Sequence, residues 1–231
     1  MVSTLLPPAA LPAGWLDTRL ALTFHGLVAL ASIAVLALPV PSTGMSVLLI
    51  VVGYHLAMLG VAGRAGAQGW WTAWAVLAPL SVLMVLPDWF LSSVLGTLRF
   101  ADTGAPFVGT VPVFMAGMWV MALFPVVLVA ASTERRLGPG AGVAAAGAGG
   151  LLLFWVAERL APVIPLWEPV GVQRLAGVAV YVLPAELVLS IGTWILVRGS
   201  TRRPQGATAI GVALLPLVYL GALALGFQFL G

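Results

Sequence analysis

The sequence predicts an all-α, polytopic membrane protein: a bundle of about seven transmembrane helices with an extra interfacial or re-entrant segment at residues 88–105. Three observations predict it. The 231 residues are 61% hydrophobic and only 7% charged, against roughly 25% charged in an average soluble domain. The mean hydropathy is +1.13. Between Arg19 and Arg64 there is no acidic or basic side chain, and only His25 and His55 can titrate. Apolar runs of about 20 residues are the signature of membrane-spanning helices.

Taken in order, the apolar runs place spans at 19–39, 44–63, 70–87, 107–131, 142–160, 175–197 and 208–230 of one transmembrane helical domain, residues 1–231. Residues 1–18 show no positively charged start, so no cleavable leader is expected. With the N-terminal face called side A, Arg19, Arg64, Arg135, Arg136, Arg198, Arg202 and Arg203 fall on side A and Arg99, Arg159 and Arg174 on side B. The positive-inside rule then puts side A in the cytoplasm, the N-terminus inside and the C-terminus outside, as in a bacterial inner membrane. The side A linkers TERRLGPG and RGSTRRPQG read as solvated turns, and no internal repeat is evident. In the fifth span Gly142, Ala146 and Gly150 form a small-residue stripe suited to close helix packing.

Composition excludes several chemistries. The absence of cysteine removes disulfides, thiolate metal ligands and cysteine nucleophiles. The absence of lysine removes a retinal Schiff base. The isoelectric point near 10.2 reflects loop arginines and is no nucleic-acid signal. No DDxxD or NDxxD pair, HExxH or GxSxG occurs. Neither a metal site nor a cofactor is expected. The expected partners are membrane lipids and a lipid-soluble small molecule, and nothing in the sequence speaks to oligomeric state.

The acids collect on side B. Asp88, Asp102, Glu158 and Glu168 lie there, with Glu186 read near the middle of the sixth span, after Pro184. A carboxylate at that depth costs about 2.5–3.5 kcal/mol on insertion scales, so it must be neutral, paired or facing a polar cavity. The alternative is a structural acid bonded to a neighbouring helix or to Tyr181. Asp88 follows Pro87 and suits the N-cap of a short interfacial helix over WFLSSVLGTLRF, a role compatible with catalysis. Glu158 is placed to point into the bundle while Arg159 points outward. Asp102, in DTG, suits a tight turn, and Glu168 an exposed loop. The candidate catalytic set is thus Glu186, Asp88, Glu158 and Asp102. The candidate substrate-binding aromatics are Trp89, Phe90, Phe107, Phe114, Trp119, Trp155, Trp167 and Tyr181, although aromatic residues gather at membrane interfaces regardless of function.

His25 and His55 fall at similar depth on adjacent antiparallel spans. That geometry would suit a bis-histidine haem, but two hydrogen-bonded buried histidines are the favoured reading, since no third ligand is visible on side A.

DTGAPFVGTVP leading into a Trp-bearing span, followed by YVLPAE in a later one, resembles small bacterial membrane proteins. More remotely it resembles seven-helix isoprenoid enzymes, the carotenoid hydratases and the integral-membrane terpene cyclases of meroterpenoid pathways. The likeness covers residues 85–125 and 165–195, and no catalytic residue is carried over from it. It implies an acid-initiated cyclisation or hydration of a polyene. A buried carboxylic acid supplies the proton for such chemistry and aromatic faces stabilise the cation. A transporter using intramembrane carboxylates is the alternative, and a haem electron-transfer protein a third.

Overall fold

The computed structural model describes residues 15–38, 42–64 and 67–231, so most of the stretch read as lacking a leader lies outside the described residues. Among the described residues seven helices are long and apolar enough to cross a membrane. They are α1 (Thr18–Ala37), α2 (Thr43–Ala62), α3 (Gln68–Leu95), α4 (Met115–Leu137), α5 (Pro139–Leu160), α6 (Val182–Ser200) and α7 (Gln205–Leu230). The chain is an all-α integral membrane bundle.

The helix ends follow local chemistry. Asp17 starts α1, its Oδ1 accepting from the backbone N–H groups of Arg19 and Leu20 at 2.7 and 3.1 Å. Ser42 caps α2 by accepting from the Met45 N–H at 3.2 Å. Gly138 at φ +91° ends α4, and Pro139 begins α5 directly after it. The outer faces of α1 and α2 are apolar and exposed, as Leu22, Leu27, Leu30 and Leu56 show. In a bilayer those faces meet lipid, which makes exposure of leucine harmless.

α3 departs from expectation. Instead of ending at Pro87 before a separate interfacial helix, it continues to Leu95, and its last turn, Phe90–Leu95, is a π-helix. Ser92 compensates for the altered ladder, its hydroxyl donating to the Asp88 carbonyl at 2.7 Å. The turn stops at Gly96, which takes a left-handed conformation at φ +66°. Asp88 therefore lies inside a helix and caps nothing.

Two further spans start later than expected. Residues 107–114 and 174–181 are not helical. Each holds a two-stranded hairpin, β2 (Phe107–Val108) with β3 (Val111–Pro112), and β5 (Arg174–Leu175) with β6 (Val178–Ala179). Both segments are apolar enough to pass for helix. Their alternating β-branched residues around a glycine-bearing turn favour a strand pair instead. Glu186 consequently sits in the first turns of α6, near side B and away from the membrane centre.

The hairpins reveal an internal repeat. α3, strand β1 (Leu98–Phe100), the first hairpin and α4 form one unit. α5, strand β4 (Trp167–Pro169), the second hairpin and α6 form another in the same order. In each hairpin the same bond recurs: Val113 N–H donates to Pro106 O at 2.8 Å, and Val180 N–H to Gln173 O at 3.0 Å. β1 and β4 pair antiparallel, Arg99 opposite Glu168, with Ala101 N–H donating to Leu166 O and Val170 N–H to Thr97 O. First helices run from A to B and second helices return, so the units are related about an axis along the membrane normal. The sequence reading, which found no repeat, is corrected here.

The small-residue stripe behaves as expected. Gly142, Ala146 and Gly150 are buried, and Gly150 lies against Ser190 of α6. On side A the structure differs from the solvated turns expected of TERRLGPG. α4 runs through Glu134, which is buried and accepts from Arg198 Nε of α6 at 2.8 Å.

Candidate functional site

Between the two units, toward side B, lies a largely apolar cavity of about 370 Å³. Asp88 reaches it from α3, Glu158 from α5 and Glu186 from α6. Three of the four candidate acids thus share one space. Asp88 and Glu186 are 3% and 4% exposed, and Glu158 is within electrostatic reach of both.

The three carboxyl groups are held differently. Trp119 Nε1 donates to Asp88 Oδ2 at 3.0 Å, a bond between the two helices of the first unit. Trp167 Nε1 donates to Glu158 Oε1 at 2.9 Å, tying the end of α5 to strand β4. Glu186 Oε2 is buried with no hydrogen-bond partner among the described residues. An unpartnered polar atom in an apolar wall is expensive, so its retention calls for an explanation.

Aromatic and thioether surface completes the wall. Phe100, Trp119, Phe154, Trp167, Tyr181 and Tyr219 line the cavity, as do Met115, Met118 and Met121. Tyr219 stacks edge-on against Trp119, ring centroids 6.0 Å apart. The Tyr181 hydroxyl and Thr97 Oγ1 share a hydrogen bond of 2.8 Å. Burial pushes the Tyr181 hydroxyl up to about 12, so it stays protonated at any physiological pH. Val156 and Leu160 also line the cavity, yet they are 46% and 50% exposed on the outer surface of α5. The cavity therefore reaches the bundle's apolar exterior.

Other residues singled out from sequence lie elsewhere. Asp102 is exposed and accepts from Gly104 N–H at 3.2 Å, the turn its sequence suggests. Trp89 and Phe107 are exposed near the first hairpin. Phe90 and Trp155 are half-buried and Phe114 fully buried, and none of the three lines the cavity. Glu168 pairs with Arg99 on the outward side of the β1–β4 ladder. Arg159 points outward as expected.

The two histidines are engaged by the protein. His25 Nδ1 bonds Ala21 O at 2.8 Å and its Nε2 meets Tyr54 OH at 3.2 Å. His55 Nε2 bonds Gly117 O at 3.1 Å, and its Nδ1 accepts from Trp74 Nε1 at 3.1 Å. Each ring thus has both nitrogens occupied within the bundle.

Residues missed in the sequence include Tyr219, Phe154 and the three methionines. Tyr219 stands alone in an apolar run, and only the packing of α7 brings it to Trp119.

Residues 85–230 match the model of the family described as a domain of unknown function, DUF6989, and the chain belongs to that family. The match begins within α3, just before Asp88, and contains every residue that lines the cavity. No curated protein and no solved structure matches the chain.

Proposed function

We propose that the protein is an integral-membrane, isoprenoid-modifying enzyme that starts a cyclisation or hydration by protonating a lipid-soluble polyene. The observation that carries this reading is the Glu186 carboxyl group, unpartnered in an aromatic-lined cavity that reaches the apolar exterior. A polyene entering beside Val156 and Leu160 would meet an acid with no competing hydrogen bond at Oε2.

In the proposed step the Glu186 O–H bond breaks as a C–H bond forms at one alkene carbon, leaving a tertiary cation in the chain. The faces of Trp119 and Tyr219 stabilise that charge through their ring quadrupoles. The cation closes a ring and loses a neighbouring proton to Asp88, or is captured by water, whose extra proton Asp88 takes. Proton return from Asp88 to Glu186, with Glu158 lining the same cavity, completes the cycle. Distinct surroundings for the two acids, one held by an indole N–H and one free, suit separate donor and acceptor roles.

Mass spectrometry of lipid extracted from the purified protein should identify a polyprenoid ligand. Glu186→Gln keeps size and hydrogen-bonding capacity but removes the transferable proton. It should leave the melting temperature in detergent close to that of the parent and abolish conversion of that ligand. Full activity of Glu186→Gln on it overturns the proposal.

A transporter is the second reading, favoured by the parallel repeat with acids at its interface, an arrangement found in carriers. The cavity's place near side B, rather than at mid-membrane, argues for the enzyme. Proton-coupled flux of the extracted ligand in proteoliposomes, without chemical change, would decide for the carrier.

The arginine bias favours a bacterial inner membrane with the N-terminus inside and the C-terminus outside. Because the chain has no cysteine, single cysteines introduced at the exposed positions Thr201 and Gln173 report each face separately. Thr201→Cys should resist an impermeant thiol reagent in intact cells and Gln173→Cys should react. The reverse pattern would refute the orientation.

A further inference from the structure

On side A, a second cavity of about 330 Å³ opens where the end of α6 meets the start of α5. Arg198, Arg202 and Arg203 line it. Arg198 spends its Nε on Glu134, while one of its terminal nitrogens is buried without a partner. Arg202 and Arg203 are exposed and form no ion pair among the described residues. Three guanidinium groups thus stand near a single carboxylate, Glu134, whose Oε1 is engaged by Arg198 and whose Oε2 has no partner among the described residues.

Two neutral features point the same way. Trp194 lines the cavity and is fully buried, and its indole N–H has no partner among the described residues. The first turn of α5, where Gly140 contributes to the wall, has no side-chain cap, so the positive end of a 22-residue helix is left open there. Although Glu134, outside the lining, keeps one buried oxygen, Oε2, without a partner among the described residues, every unpartnered group among the residues that line this cavity is a donor or a positive charge. The complement is an anion with several acceptor oxygens. Below the arginines, Ile195 continues the wall and is 46% exposed on the outer face of α6, where acyl chains would run.

We propose that this pocket binds the phosphate of an anionic phospholipid headgroup, with Trp194 and Arg198 as the inner donors and Arg202 and Arg203 as the outer clamp. Basic pockets between transmembrane helices at the membrane surface recognise such headgroups, and arginine suits phosphate through its forked donors. The site is separate from the side B cavity, so it stands whatever reaction the protein performs.

The test uses the full chain in detergent, titrated with phosphatidylglycerol, with phosphatidylcholine of the same acyl chains, and with inorganic phosphate, and read by native mass spectrometry and thermal unfolding. Phosphatidylglycerol should bind saturably, raise the melting temperature and outbind phosphatidylcholine. Arg202→Gln combined with Arg203→Gln should weaken that binding roughly tenfold or more while leaving the lipid-free melting temperature unchanged, since neither side chain has a hydrogen-bond or ion-pair partner among the described residues. Trp194→Phe should also weaken it. Displacement of the lipid by inorganic phosphate, lost in the same variants, would confirm the anion site and name free phosphate as its occupant. Equal binding of phosphatidylcholine, or full affinity in both the arginine double variant and Trp194→Phe, overturns the proposal.

Discussion

Trp119→Phe isolates the hydrogen bond that holds Asp88 in the cavity wall. The indole N–H is the donor to Asp88 Oδ2 at 3.0 Å, and both residues are buried. Removing it leaves a buried acceptor without a donor, which costs about 1–3 kcal/mol. Loss of the fused ring adds on the order of 1 kcal/mol of apolar contact, limited because one face of Trp119 already borders the cavity. Phenylalanine retains an aromatic face toward Tyr219 and Phe154, so no larger collapse is expected. The total, about 2–4 kcal/mol, corresponds to a fall in melting temperature of roughly 6–12 °C near its centre for a chain of this length. Asp88→Asn, whose side-chain oxygen still accepts the indole proton, should cost less than half as much. In a cycle that pairs Trp119→Phe with Asp88→Ala, which removes the acceptor itself, the effects should fall short of additive by about 1–2 kcal/mol. A Trp119→Phe protein that melts within about 1 °C of the parent, or strict additivity in the cycle, would refute the assignment of this bond as a structural tie.

Two further outcomes follow from packing and backbone geometry. Gly150→Ala drives a methyl group into Ser190 and should lower stability by about 1–3 kcal/mol, with partial recovery on adding Ser190→Gly; a neutral Gly150→Ala would contradict the α5–α6 contact. In the second hairpin Ala176 and Gly177 both have positive φ, 51° and 88°, the pattern of a type I′ turn that favours Asn-Gly. Ala176→Asn should therefore raise the melting temperature by a few degrees, equivalent to roughly 0.5–1 kcal/mol, and a decrease would contradict the turn geometry.

The fold class is legible in the sequence because hydropathy reports membrane-spanning helices directly. The clustering of Asp88, Glu158 and Glu186 at side B follows from counting spans, and the structure brings these three to one cavity. The depth of Glu186 was misjudged because Arg174–Tyr181 is as apolar as the helix it precedes, and a hydropathy window cannot distinguish an apolar hairpin from a helical turn. The same ambiguity hid the first hairpin, and with it the repeat, whose evidence lies in hydrogen bonds rather than in matching residues. Glu134 was read as solvated because two arginines follow it. Continuation of α4 turns its side chain inward toward Arg198, away from those neighbours. Tyr219 carried no local signal, since its partners come from a helix a hundred positions earlier in the chain.

With the two hairpins in register, Trp119 and Glu186 occupy equivalent positions on the second helices of their units. A perfectly symmetric pair of units would present the same side chain from both directions, and an elongated ligand could lie in it either way round. Here one position carries an indole that restrains Asp88 and the other an unpartnered acid. The contributions of the two units to the cavity wall are therefore chemically unlike, and under the proposed function a ligand turned end for end would lose its meeting with Glu186. Divergence between the halves converts a shape with two equivalent orientations into one whose sides differ, and under the proposed function that difference would select which bond along a chain of similar bonds is addressed.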